Sequence, residues 1–142
     1  MNVSLKRVGI VGGGMMGSEI ALCFASVGVE VILKDIDLEL AKKGRERSGL
    51  ALDKLINKGH SKMEERETIL AQIIPTDKNT SFDKVDLIVE AAIEDLETKK
   101  SIFRELDAIC KPECIFATNT SSISITQLAT SVGPNRIHSC PR

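Results

Sequence analysis

The sequence predicts an α/β protein: a doubly wound parallel sheet with helices on both faces. Three observations carry that reading. Short apolar runs rich in β-branched residues alternate with longer stretches of helical periodicity. A glycine-rich turn joins the first run to the first helix. Four polar or glycine-rich segments, at 12–17, 35, 90–99 and 118–122, each follow an apolar run. They therefore share one edge, beyond the carboxyl ends of the strands, where open parallel sheets bind ligands.

The first strand is the run holding Val8, Ile10 and Val11, apolar enough to be buried on both faces. The turn follows in the register Gly12-x-Gly14-x-x-Gly17, and Ile20, Ala21, Phe24 and Ala25 then show a helical spacing. In such a strand-turn-helix, Gly12 permits the tight turn and Gly14 lets the main chain approach a pyrophosphate. Gly17 lets the helix pack on the strand. The helix start offers free N–H groups and the positive end of its dipole to the phosphates. A tight connection that binds nothing is the alternative for the glycines taken alone.

The second strand, Val29 to Leu33, runs into Asp35, 23 positions after Gly12. That is close to the spacing of the acidic residue that holds an adenosine ribose. A carboxylate there accepts bonds from both ribose hydroxyls and repels a 2′-phosphate by ~1–4 kcal/mol at contact. The cofactor implied is NAD rather than NADP. Alternation along the strand turns Lys34 away from Asp35.

A long helix is expected from Leu38 to about Lys58, with Leu38, Ala41, Ser48, Leu52, Leu55 and Ile56 inside. Lys42, Lys43, Arg45, Glu46 and Arg47 fall mostly outside. Gly59 suits the position after the helix end. Ser61 to Glu64 reads as a capping box opening a second helix to about Gln72, which makes a helical hairpin inserted after strand two. Lys54 and Lys58, spaced i, i+4, are either a solvated face or a contact for an anionic ligand.

Ile73-Ile-Pro75 is an edge strand, because proline lacks the ladder N–H. Val85 to Val89 form the next strand, ending at Glu90. A helix follows, with Ile102, Phe103, Leu106 and Ile109 on one face, closed by Pro112. Cys114 to Ala117 make the fifth strand and deliver Thr118-Asn-Thr-Ser-Ser122. A short helix is expected over residues 124–129. No internal repeat or linker interrupts the chain, so residues 1–142 read as one domain.

Composition narrows the function. The 19 basic and 20 acidic side chains nearly balance, which points away from nucleic acid and membrane surfaces. With no Trp or Tyr, the chain lacks stacking platforms for bases. No apolar stretch has membrane-spanning length, and neither a signal-peptide core nor a mitochondrial presequence is apparent. Cys23, Cys110, Cys114 and Cys140 show no metal-binding spacing and read as reduced thiols. A cytoplasmic location and no metal are expected.

With these segments placed, roughly residues 5 to 136 resemble the N-terminal NAD-binding domain of 3-hydroxyacyl-CoA dehydrogenases. These include 3-hydroxybutyryl-CoA dehydrogenases and the dehydrogenase part of multifunctional fatty-acid oxidation proteins. The marks are Gly12-x-Gly14-x-Met16-Gly17 with Ile20-Ala21, Asp35, the helical hairpin, Val89 to Lys99, and Thr118 to Ser122. The resemblance implies a Rossmann fold and oxidation of an (S)-3-hydroxyacyl-CoA to the 3-ketoacyl-CoA, with hydride passing to NAD. It implies cofactor contacts from Gly12, Gly14, Met15, Met16, Gly17, Asp35, Glu94, Lys99 and Asn119. Ser121 matches the catalytic serine that bonds the reacting oxygen. Lys54, Lys58 and Lys99 are the candidates for the CoA side. Read without the resemblance, Glu94 is an acid at a helix start, Lys99 a solvent-facing lysine and Ser121 or Ser122 an N-cap.

The resemblance also implies a histidine base in a His-Phe-Phe-Asn-Pro segment, which would align near Pro141. The chain instead reads His138-Ser-Cys-Pro-Arg142. His138 falls too early to be that base. Truncation, by a frameshift, a shortened gene or a deliberate cut, is the implied reading. On it, the last strands and the C-terminal helical domain are lacking and turnover by these residues alone is small. The bared edge of strand five would favour self-pairing into a homo-oligomer. A dehydrogenase acting on a sugar acid and a non-catalytic NAD-binding protein are the competing readings.

Overall fold

A computed structural model describes residues 5–91, 95–118 and 137–139. Among the described residues, six parallel strands form one sheet in the order β3-β2-β1-β4-β5-β6. They are β1 (Arg7–Val11), β2 (Glu30–Lys34), β3 (Ile73–Thr76), β4 (Leu87–Glu90), β5 (Ile115–Thr118) and β6 (Ile137–Ser139). The helices are α1 (Met15–Ser26), α2 (Leu38–Asn57), α3 (Arg66–Ala71) and α4 (Leu96–Ile109). Proline 75 sits in β3, an outer strand of the sheet, as expected of a residue without a ladder donor.

Strand alternation splits the core into two layers. Val8, Ile10, Val31, Leu33 and Val89 face α1, α2 and α3, where they meet Ala21, Leu22, Leu52 and Leu70. Val11, Ile32, Ile88 and Phe116 face the other way, against Phe103 and Leu106 of α4 and against Phe82. The rings of Phe103 and Phe116 stack with centroids 5.6 Å apart. Of the α4 face predicted from Ile102, Phe103, Leu106 and Ile109, the first three pack into this layer, joined by Cys110 rather than Ile109.

Several local expectations are corrected. The hairpin after β2 is present, but its second arm opens as a 3₁₀ turn, Met63–Glu65, with Lys62 at the cap position and no side-chain cap bond. The capping box expected from Ser61 does not form. Instead Arg66 bonds Asp53 across the hairpin at 2.7 Å. Leu38, expected inside, is exposed in the first turn of α2, whose start is capped by Asp37 accepting the Leu40 N–H. Arg45 turns inward, its Nε donating to the carbonyls of Leu70 and Ile73. Gly59 has φ +78° just after the α2 end, as its position suggested.

The largest correction concerns strand six. Ile137–Ser139 pairs parallel to β5 in the register Phe116↔Ile137, Ala117↔His138, Thr118↔Ser139. Backbone groups alone build a ladder, so a segment departing from the resemblance still covers this edge. Self-pairing through a bared β5 edge is therefore set aside. The helix expected over 124–129 lies outside the described residues.

Candidate functional site

The site is assembled at the carboxyl ends of β1, β2, β4 and β5. Val11 is level with Lys34 on one side and Glu90 on the other. The next residues, Gly12, Asp35 and Ala91, leave the sheet together. Gly12 has φ +110°, a left-handed value that a side chain disfavours. Its N–H donates to the Lys34 carbonyl at 2.8 Å, so the turn starts from the β1–β2 ladder.

Helix α1 then lies on the turn so closely that a Cβ at Gly17 would stand 1.8 Å from the Gly12 carbonyl oxygen. At Gly14, by contrast, a Cβ would meet nothing within 4 Å. Gly14 is the α1 N-cap and brings no side chain to bond the first turn. Among the described residues, no acceptor meets the N–H groups of Gly14, Met15 and Met16. The turn thus has open space in front of it and unsatisfied donors aimed into that space, which fits a phosphate.

Asp35 is tied to the same turn. Its Oδ2 accepts the Gly13 N–H at 2.9 Å, and its Oδ1 accepts the Ile36 N–H at 2.7 Å. Each oxygen keeps a lone pair for a ribose hydroxyl. Gly13 is clasped from behind as well: its carbonyl accepts Arg47 Nη1 at 2.6 Å and Ser18 Oγ at 3.1 Å. Helix α2 reaches this turn because position 44 is glycine. A Cβ there would come within 2.9 Å of the Gly13 carbonyl oxygen and of Leu33.

On the far side of β1, Glu90 and Thr118 stand level on neighbouring strands, and Thr118 Oγ1 donates to Glu90 Oε1 at 2.9 Å. Lys99, in the first turn of α4, places Nζ 2.7 Å from the same oxygen. Glu90 is fully buried and Lys99 is 1% exposed. The solvent-facing reading of Lys99 is therefore wrong: the side chain is buried and its charge is met by Glu90. Asp95 caps α4 through Thr98, whose hydroxyl and N–H hold the Asp95 carboxyl below the usual carboxylate range.

The structure brings Gly12, Gly14, Met15, Met16, Gly17 and Asp35 together at one mouth, with Lys99 beneath its β4 side. Lys54 lines a separate groove of about 360 Å³ between α1 and α2, together with Met15, Ser18, Arg47 and Leu50. Lys58 is the exposed C-cap of α2. Glu94, Asn119 and Ser121 lie outside the described residues, and β6 carries the backbone of His138. Among the described residues no cluster of three or more metal-ligating side chains occurs. No helix among them is long and apolar enough to cross a membrane.

Sequence reasoning missed Gly44 and Arg47 as parts of the site, and it gave Glu90 and Thr118 no role of their own within the segments 90–99 and 118–122. A glycine inside a helical pattern was the available signal for Gly44, since it costs ~1 kcal/mol against alanine unless packing requires it. Arg47 has no such local mark. Glu90 could be placed at a strand end, but Thr118 and Lys99 reach it from two other elements.

A parallel sheet with an open phosphate turn at its first crossover and a carboxylate locked beside it defines a dinucleotide-binding domain. The family description "3-hydroxyacyl-CoA dehydrogenase, NAD binding domain" matches residues 7–138, and the chain belongs to that family. It is 38% identical over 129 residues to a 3-hydroxybutyryl-CoA dehydrogenase of Bradyrhizobium diazoefficiens, covering 91% of this chain and 44% of that protein. A 3-hydroxyadipyl-CoA dehydrogenase of Escherichia coli is 36% identical over 138 residues, 96% of this chain and 29% of its own length. The crystal structure of (S)-3-hydroxybutyryl-CoA dehydrogenase from Ralstonia eutropha matches with a TM-score of 0.91 at 36% identity, over 96% of this chain and 48% of that one. The chain spans less than half the length of these relatives. NAD is the cofactor of the domain family.

Proposed function

We propose that residues 1–142 are the NAD-binding domain of an (S)-3-hydroxyacyl-CoA dehydrogenase. The observation that carries this is the bond from the Gly13 N–H to Asp35, which sets a ribose-holding carboxylate against an open phosphate turn. The N–H groups of Gly14, Met15 and Met16 bind the pyrophosphate, and Asp35 accepts the adenosine ribose hydroxyls. Glu94, Lys99 and Asn119 serve the nicotinamide half. Bound NAD supplies the hydride acceptor. Ser121 bonds the 3-oxygen, since a hydroxyl both donates to an alcoholate or ketone oxygen and accepts from an alcohol. Lys54, at the α1–α2 groove, and Lys58 offer positive charge to the anionic CoA.

The relatives described above act, by their names, on 3-hydroxyacyl-CoA compounds, which favours this substrate class over a sugar acid. The four cysteines are spaced neither as a disulfide framework nor as a metal site, which supports a reducing compartment such as the cytoplasm. Calorimetric titration tests the reading. NAD binds, and NADP binds at least about fivefold more weakly, as repulsion of a 2′-phosphate by Asp35 requires. Absence of NAD binding, or equal affinity for the two, would overturn it.

A further inference from the structure

Glu90 stands at a special place in the sheet. It is level with Val11, the last residue before the phosphate turn, and with Thr118. The order of strands reverses between β1 and β4, so its carboxylate lies at the switch point where a dinucleotide crosses from one half of the sheet to the other. Asp35 marks the adenosine side; Glu90, Lys99 and Thr118 lie on the opposite side.

The three side chains are 0%, 1% and 1% exposed. Withdrawing an ion pair from water is costly, and an apolar pair of similar volume often stabilises as well. Stability alone gives little reason for charges here. Their geometry gives a better one. Thr118 Oγ1 and Lys99 Nζ converge on the single oxygen Glu90 Oε1, at 2.9 and 2.7 Å. The hydroxyl thereby holds the carboxylate in one orientation, and the carboxylate holds the ammonium. An ammonium carries three donors, and among the described residues Nζ meets this one acceptor.

We infer that Glu90 is a positioning residue for the nicotinamide half of the dinucleotide, aiming the Lys99 ammonium at the β4 side of the crevice. Thr118 locks it in place. The inference rests on the NAD reading above. It makes Glu90 matter for one half of the ligand and not for the other.

The test compares NAD with ADP-ribose, which lacks the nicotinamide ring, by calorimetric titration of the full chain. Glu90→Gln keeps the size and an acceptor oxygen but removes the charge. It is expected to weaken NAD roughly tenfold, the weight of one charge-assisted hydrogen bond, with ADP-ribose changed by less than about twofold. Thr118→Val is expected to show a smaller shift of the same kind. If Glu90→Gln does not fold, Thr118→Val carries the test. Equal losses for both ligands indicate general disruption and overturn the inference, as does unchanged NAD affinity. Wild-type protein that binds neither ligand refutes the NAD reading itself, before any variant is compared.

Discussion

The carboxylate of Asp35 accepts the N–H of Gly13 at 2.9 Å. The residue that ends the β2 crossover is thereby fixed to the turn that ends β1. Two sequence marks that are 22 residues apart become one rigid cradle. A ligand spanning turn and carboxylate meets donors and acceptors already in place, which lowers the ordering cost of binding.

Removing that carboxylate should therefore have two effects. Asp35→Ala loses the ribose acceptor and releases the Gly13 N–H, so NAD affinity falls by about tenfold or more. Discrimination against NADP falls with it, since the repelling charge is gone. Paired titrations with NAD and NADP measure both. Unchanged selectivity would mean that another group reads the ribose.

Gly14 and Gly17 separate ligand space from packing space. Gly14→Ala meets nothing in the protein and changes stability by under about 1 kcal/mol. It still weakens NAD, because the methyl occupies the phosphate approach. Gly17→Ala drives a Cβ into the Gly12 carbonyl, and a backbone oxygen cannot rotate away. A loss of at least about 3 kcal/mol is expected, the upper range of overpacking costs. Urea melts beside NAD titrations distinguish the two, and similar stabilities for both variants would contradict the assignment.

Gly44→Ala tests the support behind the turn. Its Cβ presses on Gly13 and Leu33, so α2 moves outward and Arg47 draws away from the Gly13 carbonyl. A destabilisation of about 1–3 kcal/mol and weaker NAD binding are expected, although residue 44 touches no ligand. NAD affinity equal to wild type would show that the turn does not depend on α2.

Asp86 governs acid behaviour at the opposite end of the sheet. Burial pushes its carboxyl upward, but bonds from Lys111 and from the N–H groups of Lys6 and Arg7 outweigh that and hold it below the usual range. A lowered folded value means this group stabilises the fold above the ordinary carboxylate value of about 4. That contribution is lost as the pH falls through the lowered value. Asp86→Asn should flatten this part of the acid unfolding slope. Urea midpoints followed from neutral to acid pH check it, and identical slopes for variant and wild type would rule it out.

Much of this was legible in the chain itself, because strand and helix periods are local properties. Val8, Ile10 and Val11, the three glycines and Asp35 announced the sheet class, the tight turn after β1 and the carboxylate that stands beside it. So did the α4 face built on Phe103 and Leu106. Side-chain reach across elements was not legible. Nothing near position 47 says that its guanidinium bonds Gly13, and nothing near 99 says that its ammonium is buried on Glu90. The capping box at Ser61 failed because a 3₁₀ turn with Lys62 at its cap forms there, and Leu38 stays exposed in the first turn of α2. Pairing of Ile137–Ser139 with β5 likewise depends on a strand some twenty residues away in sequence.

By itself, then, the sequence determined the order of elements and the chemistry offered at strand ends. Both follow from residue type and spacing within one segment. Only the tertiary structure decided which charges are paired, that Gly44 lets α2 reach the turn after β1, and how β6 covers the β5 edge. Those outcomes depend on distances between segments that meet solely when the sheet has formed.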